Sequence, residues 1–139
     1  KLEALAQELG LQDDISLPGF VDNPYAYMAR AAVFVLSSAW EGLPTVLIEA
    51  MAVGRPVIAT DCPSGPAEIL ENGRWGKLVP VGDVKELAKA IMTTLRDPNH
   101  PDVAKRAQDF RIEKQVQNYL KVLLNDNETL IPSLELKGQ

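Results

Sequence analysis

Two short runs, Val33–Leu36 (VFVL) and Pro56–Thr60 (PVIAT), are apolar at successive positions instead of alternating with polar residues. A strand with one face in water alternates. A strand that does not alternate is covered on both faces, the condition of a parallel sheet held between layers of helices. Lys77–Val79 (KLV) is a shorter piece of the same kind. Ile15–Phe20 (ISLPGF) reads as a further strand, with Pro18 suited to its end or to a sheet edge.

Helical patterns separate these runs. Leu2, Leu5, Ala6 and Leu9 keep helix spacing, and Gly10 stops them. Asp22-Asn23-Pro24 opens a second helix with Tyr25, Met28, Ala29 and Ala32 inward, and Gly65-Pro66 opens a short one that ends before the Asn72-Gly73 turn. Asp83-Val84-Lys85-Glu86 has capping-box spacing at the head of a helix with Leu87, Ala88, Ile91 and Leu95 inward. Two more helices are expected over about 101–110 and 113–125, the latter with Val116, Leu120, Leu123 and Leu124 inward. Buried strands alternating with helices predict an α/β fold with a doubly wound parallel sheet. Residues 1–125 form one domain on this reading, and 126–139, without period, a flexible tail.

Between the two apolar strands lies Thr45–Val53 (TVLIEAMAV), a helix apolar almost all round, with Glu49 as its single charge. Such a helix is normally buried, and a buried carboxylate needs a partner. Glu41 precedes it, separated from the helix by Gly42-Leu43-Pro44. Pro44 at the start and Gly54 past the end punctuate the helix. Free backbone N–H groups therefore lie between two carboxylates.

A net charge of −5 without a Lys/Arg cluster excludes the electrostatic footprint of a specific nucleic-acid binder. One cysteine, Cys62, excludes an internal disulfide. No apolar run approaches the ~20 residues of a membrane-spanning helix. The chain opens without Met, in helix-like sequence, and reads as a piece of something larger.

The run Glu41–Asp61, EGLPTVLIEAMAVGRPVIATD, with two glutamates in E-x7-E spacing, resembles the signature of the group 1 glycosyltransferases (glycosyltransferase family 4, GT-B fold). SGPAEIL, NGRWGKLVPVGD and Gly19-Phe20-Val21 extend the likeness over about residues 9–95. The resemblance implies an incomplete Rossmann-like carboxy-terminal domain, the donor-binding part of a retaining, metal-independent enzyme that moves a sugar from a nucleotide-sugar to an acceptor hydroxyl. The two strands missing from such a domain would sit between Ile15–Phe20 and Val33–Leu36, which predicts exposed sheet edges and self-association of these residues alone. The family's basic pair for the diphosphate and its amino-terminal, acceptor-binding domain would lie upstream of Lys1. The piece alone is therefore expected to be inactive.

By this resemblance Glu41 contacts hydroxyls of the donor sugar beside its reacting carbon, and Glu49 hydrogen-bonds the nucleoside ribose. Gly42, Leu43, Thr45 and Val46 offer N–H groups to the departing diphosphate; Pro44 has none. Phe20 and Val21 belong to a loop whose backbone meets the base. No metal or other cofactor is expected. The phrasing TDCPSGPAEIL resembles members acting in bacterial polysaccharide or lipid-linked glycan assembly, which favours a UDP-sugar. A cytoplasmic setting, or a peripheral one at the inner face of the membrane, goes with it. From the residues alone, a loop glutamate such as Glu41 is usually a solvated charge, Glu49 is open to pairing with an arginine, and Gly19–Val21 is open to being an ordinary strand-to-helix turn. Trp40 and Asp61 are weaker candidates for the pocket wall, and Glu68 is read as orienting its own loop. The alternative function is a non-catalytic nucleotide-binding or regulatory α/β module; a sugar-nucleotide epimerase is disfavoured by the E-x7-E run.

Overall fold

The computed structural model describes residues 1–124. In order, the elements are α1 (Leu2–Glu8), α2 (Pro24–Met28), β1 (Phe34–Leu36), α3 (Thr45–Ala52), β2 (Val57–Thr60), α4 (Pro66–Ile69), β3 (Lys77–Val79), α5 (Val84–Arg96), α6 (Val103–Ala107) and α7 (Ile112–Leu123). A 3-10 turn, Gln108–Phe110, joins the last two. The proposed tail, 126–139, lies outside the described residues.

The three strands pair in the order β1-β2-β3, both pairs parallel, with Val35 opposite Ile58 and Ala59 opposite Leu78. Central β2 is buried throughout, and its pleat divides the core in two. Val57 and Ala59 turn to one face and pack with Leu47, Ala50 and Met51 of α3, Ile69 and Leu70 at α4, and Val103 and Ala107 of α6. Ile58 turns to the other face, with Val79 and with Ala90, Leu87 and Ile91 of α5. Helices therefore cover both faces, as the unalternating strands require. Full burial of residues the size of Leu47 or Met51 contributes about 2–3 kcal/mol each.

Capping follows the sequence where its side chains are short and polar. Asp83 Oδ1 accepts from the Glu86 N–H at 3.0 Å and starts α5, and Asn23 Oδ1 accepts from the Ala26 N–H at 3.2 Å and starts α2. Entry into β3 depends on Gly76, where a Cβ would stand 2.7 Å from both the Val57 carbonyl oxygen and its Cγ2.

Three expectations are corrected. Residues 15–20 form no strand: Pro18 removes a donor, Gly19 takes φ +70°, and no neighbouring strand is at hand to complete a ladder. The sheet has three strands, and the outer edge of β1 pairs with no strand among the described residues. Second, α3 is not buried all round. Leu47, Ala50 and Met51 face the core, while Thr45, Val46 and Ala52 stay exposed and Glu49 is half-buried. Third, the apolar stripe of α7 faces outward, with Ile112, Val116, Tyr119 and Leu123 exposed, and α1 buries only Ala6. Helical periodicity specifies a stripe but not what covers it.

Candidate functional site

The site is built on the carboxyl ends of two adjacent parallel strands, where open α/β sheets gather ligands. Beyond Leu36 the chain leaves β1 for a loop, 37–44, that carries Glu41 and delivers Pro44 to α3. Beyond Thr60 it leaves β2 for a second loop, 61–65, that delivers Gly65 to α4.

Pro44 occupies the position before the helix, with φ −74° and ψ 86°, and Thr45 is the first helical residue. No side chain caps α3. Among the described residues, the N–H groups of Gly42, Leu43, Thr45 and Val46 donate to no backbone or side-chain acceptor. All four residues are exposed. Unpaired first-turn amides together with the helix dipole make an anion-favouring tip. Glu49 lies one turn inside, four residues after Thr45 and about 6 Å further along the axis, on the same helix face. It is half-buried, and its carboxylate makes no hydrogen bond or ion pair among the described residues, so no arginine occupies it.

Glu41 is half-buried and held twice. Ser38 Oγ donates to its carboxylate Oε1 at 2.6 Å, and Ser64 Oγ donates to its main-chain carbonyl at 2.6 Å. Thr60, buried at the end of β2, donates its hydroxyl to the Ser38 carbonyl, with the Leu36 carbonyl 3.3 Å away. Gly65 then closes the two loops on each other. It takes φ +88°, and a Cβ there would stand 2.4 Å from Pro44 Cδ and 2.5 Å from the Gly42 carbonyl oxygen.

Behind these loops α4 is tied down by Arg106. Its guanidinium donates to the carbonyls of Ile69 and Glu68, both at 3.0 Å, and pairs with Asp109 at 2.9 Å and Glu71 at 3.2 Å. The carbonyls left free at the end of a helix are satisfied in this way. Trp75 Nε1 donates to Glu71 at 2.8 Å and, with Arg106 and Arg74, holds the Glu71 carboxyl below its ordinary range. Asp109 is likewise lowered, first by the hydrogen bond from Lys114 and then by Arg106.

The residues that sequence reasoning named, Glu41, Gly42, Leu43, Thr45, Val46 and Glu49, run from the loop before α3 into the second turn of that helix. Phe20 is 92% exposed and Val21 half-buried, and no hydrogen bond joins their segment to the 41–49 region. Trp40, beside Glu41 in the loop, is 77% exposed. Glu68 contributes its carbonyl to Arg106, and its side chain caps nothing. Reasoning from sequence missed Ser38, whose hydroxyl meets Glu41 three positions on, and Thr60, Ser64 and Arg106, whose carbonyl partners lie 22 to 38 positions away, beyond any local motif. Among the described residues no group of three or more His, Cys, Asp or Glu is placed to hold a metal ion. No helix there is long and apolar enough to cross a membrane.

Residues 1–97 match the family model described as glycosyl transferases group 1. The chain is 36% identical over 129 residues to the N-acetylgalactosamine-N,N'-diacetylbacillosaminyl-diphospho-undecaprenol 4-alpha-N-acetylgalactosaminyltransferase of Campylobacter jejuni. That match covers 89% of this chain and 35% of the relative. Among solved structures it is similar to Anabaena HepE in complex with UDP, at TM-score 0.79 and 28% identity, over 89% of this chain and 36% of that one. The sucrose-phosphate synthase of Thermosynechococcus elongatus gives TM-score 0.75 and 33% identity, over 89% and 34%. The chain spans about a third of the length of these three proteins.

Proposed function

Since the chain belongs to the group 1 glycosyltransferases, we propose that it is the donor-binding part of a retaining, metal-independent enzyme that moves a sugar from a UDP-sugar to an acceptor hydroxyl. The observation that carries this reading is the α3 tip: Gly42, Leu43, Thr45 and Val46 are exposed and their N–H groups have no partner among the described residues, with half-buried Glu41 in the loop before the helix and half-buried Glu49 one turn inside it. Transfer breaks the bond between the sugar's anomeric carbon and the diphosphate oxygen, which leaves with the electron pair. The acceptor hydroxyl oxygen forms the new bond to the anomeric carbon, and its proton passes to the departing diphosphate. Negative charge therefore grows on the diphosphate, where a prearranged amide tip stabilises it most. The sugar passes through a cationic state, which an adjacent carboxylate steadies; that role falls to Glu41. Glu49, on the tip's own face, accepts from the ribose hydroxyls.

UDP is favoured because the similar HepE was solved with UDP. A lipid-linked saccharide acceptor is favoured because the similar Campylobacter enzyme is named for transfer to a diphospho-undecaprenol-linked sugar. On this reading the acceptor is held by another part of the whole protein, and the setting is the cytoplasm or the inner membrane face.

The test is to titrate UDP, GDP and ADP into the intact protein and into its Glu49→Ala variant, then to follow UDP release from UDP-sugars with lipid-linked acceptors. UDP should bind tightest, and Glu49→Ala should weaken it roughly 10- to 100-fold, the loss of a charge-assisted hydrogen bond. An unchanged dissociation constant would remove the ribose role. Tight UDP binding without turnover on any donor would instead support a nucleotide-binding module.

A further inference from the structure

We propose that Ser38, Thr60 and Ser64 form a hydroxyl latch that sets which carboxylate oxygen Glu41 offers the donor sugar, making Ser38 a positioning residue for transfer. The inference rests on the role given to Glu41 above and adds the means by which that side chain is presented. Glu41 stands in an irregular loop, where a free glutamate would sample several rotamers. The loop is held at three successive levels. Thr60 catches the Ser38 carbonyl just where the β1 ladder ends, since the last residue of β1 in register is Leu36 opposite Ala59. Ser64, from the neighbouring loop, holds the Glu41 carbonyl. Ser38 itself, three residues before Glu41, holds Oε1.

The consequence is an asymmetric carboxylate. A carboxylate is acceptor-only when ionised, and with Oε1 engaged by Ser38, Oε2 is the oxygen that makes no hydrogen bond among the described residues. Oε2, with both lone-pair sites open where Oε1 keeps one, is thus the more available oxygen for a sugar hydroxyl. The hydrogen bond from Ser38 also fixes the plane of the group, which determines the direction from which that hydroxyl must approach. None of the three hydroxyls needs to touch the ligand. Their effect is exerted through Glu41, and so it should appear in turnover and in the affinity added by the sugar, not in affinity for UDP itself.

The experiment uses the intact protein with UDP, UDP-glucose, UDP-galactose and UDP-N-acetylglucosamine as probes. It compares Ser38→Ala, Ser38→Thr, Ser64→Ala, Glu41→Ala and the Ser38→Ala/Glu41→Ala double variant. Ser38→Ala should bind UDP as the parent does, lose roughly 10- to 100-fold in turnover of the best UDP-sugar, and recover in Ser38→Thr, which keeps the hydroxyl. Ser64→Ala should show the same split, and the double variant should be no worse than Glu41→Ala, because residues acting through one group do not add. If Ser38→Ala matches the parent while Glu41→Ala is dead, the latch is overturned and the assigned function stands. A Ser38→Ala loss that persists in full in the Glu41→Ala background shows a merely structural role and also overturns it. If Glu41→Ala itself turns over normally, the role of Glu41 fails and the latch fails with it.

Discussion

Replacing Gly65 with alanine tests the meeting of the two loops most severely. Two costs add. At φ +88° and ψ −68°, outside the left-handed helical well, an L-residue with a Cβ is disfavoured by no less than about 1–2 kcal/mol. The new methyl would also stand 2.4 Å from Pro44 Cδ and 2.5 Å from the Gly42 carbonyl oxygen. The carbonyl belongs to backbone and cannot rotate away, and overpacking of this kind costs about 1–3 kcal/mol. The sum is about 2–5 kcal/mol. Gly54 provides the control: it has φ +74° but nothing within 4 Å of its would-be Cβ, so Gly54→Ala carries the conformational cost alone. At about 4 °C per kcal/mol for a domain of this size, Gly65→Ala should melt roughly 4–12 °C below Gly54→Ala. Calorimetry of the intact protein reads that gap, and a parallel titration reads the site. Gly65→Ala should weaken UDP binding, since it displaces the Gly42–Pro44 segment that forms the tip, while Gly54→Ala should not. Equal melting of the two variants, with UDP affinity unchanged, would refute the claim that these loops bear on each other.

Two further outcomes concern the support behind the site. Arg106→Ala removes donors from the Ile69 and Glu68 carbonyls and a partner from Glu71 and Asp109, and should lower stability by about 2–3 kcal/mol in urea titration; a change below about 0.5 kcal/mol would show that the α4 end does not depend on it. For Trp75→Phe the sign follows from Glu71, whose folded pKa lies below its ordinary 4.5, chiefly through the Trp75 hydrogen bond. That stabilisation is full above the ordinary value and is lost as pH falls through the folded value. The melting gap between the parent and Trp75→Phe should therefore narrow as pH drops below 4.5; a gap that stays constant to about pH 3 would contradict the coupling.

The strands were legible because burial on both faces leaves a composition mark that needs no knowledge of neighbours: VFVL, PVIAT and KLV each hold one of the three strands. So were the α3 boundaries and the Asp83 cap, which are set by adjacent residues. Residues 15–20 failed because a strand exists only against another strand. The outward faces of α1 and α7 failed because a stripe of Leu and Val shows a capacity for burial and not a partner. At the site, Glu41 and Glu49 stood out through the run around them, whereas Ser38, Thr60 and Ser64 carry no mark. A hydroxyl gains its role from what the fold sets beside it, which for Thr60 and Ser64 is chain more than twenty positions distant.

The contact of Gly65 with Gly42 and Pro44 bears on anyone who would re-engineer donor choice by transplanting segments between relatives. Neither the stretch after the first strand nor the one after the second is a separable cassette, because each is cut to the outline of the other. A chimaera that imports one without its mate should misfit even where every imported residue is suitable, while exchanging 37–44 and 61–65 as a matched pair keeps the seam intact.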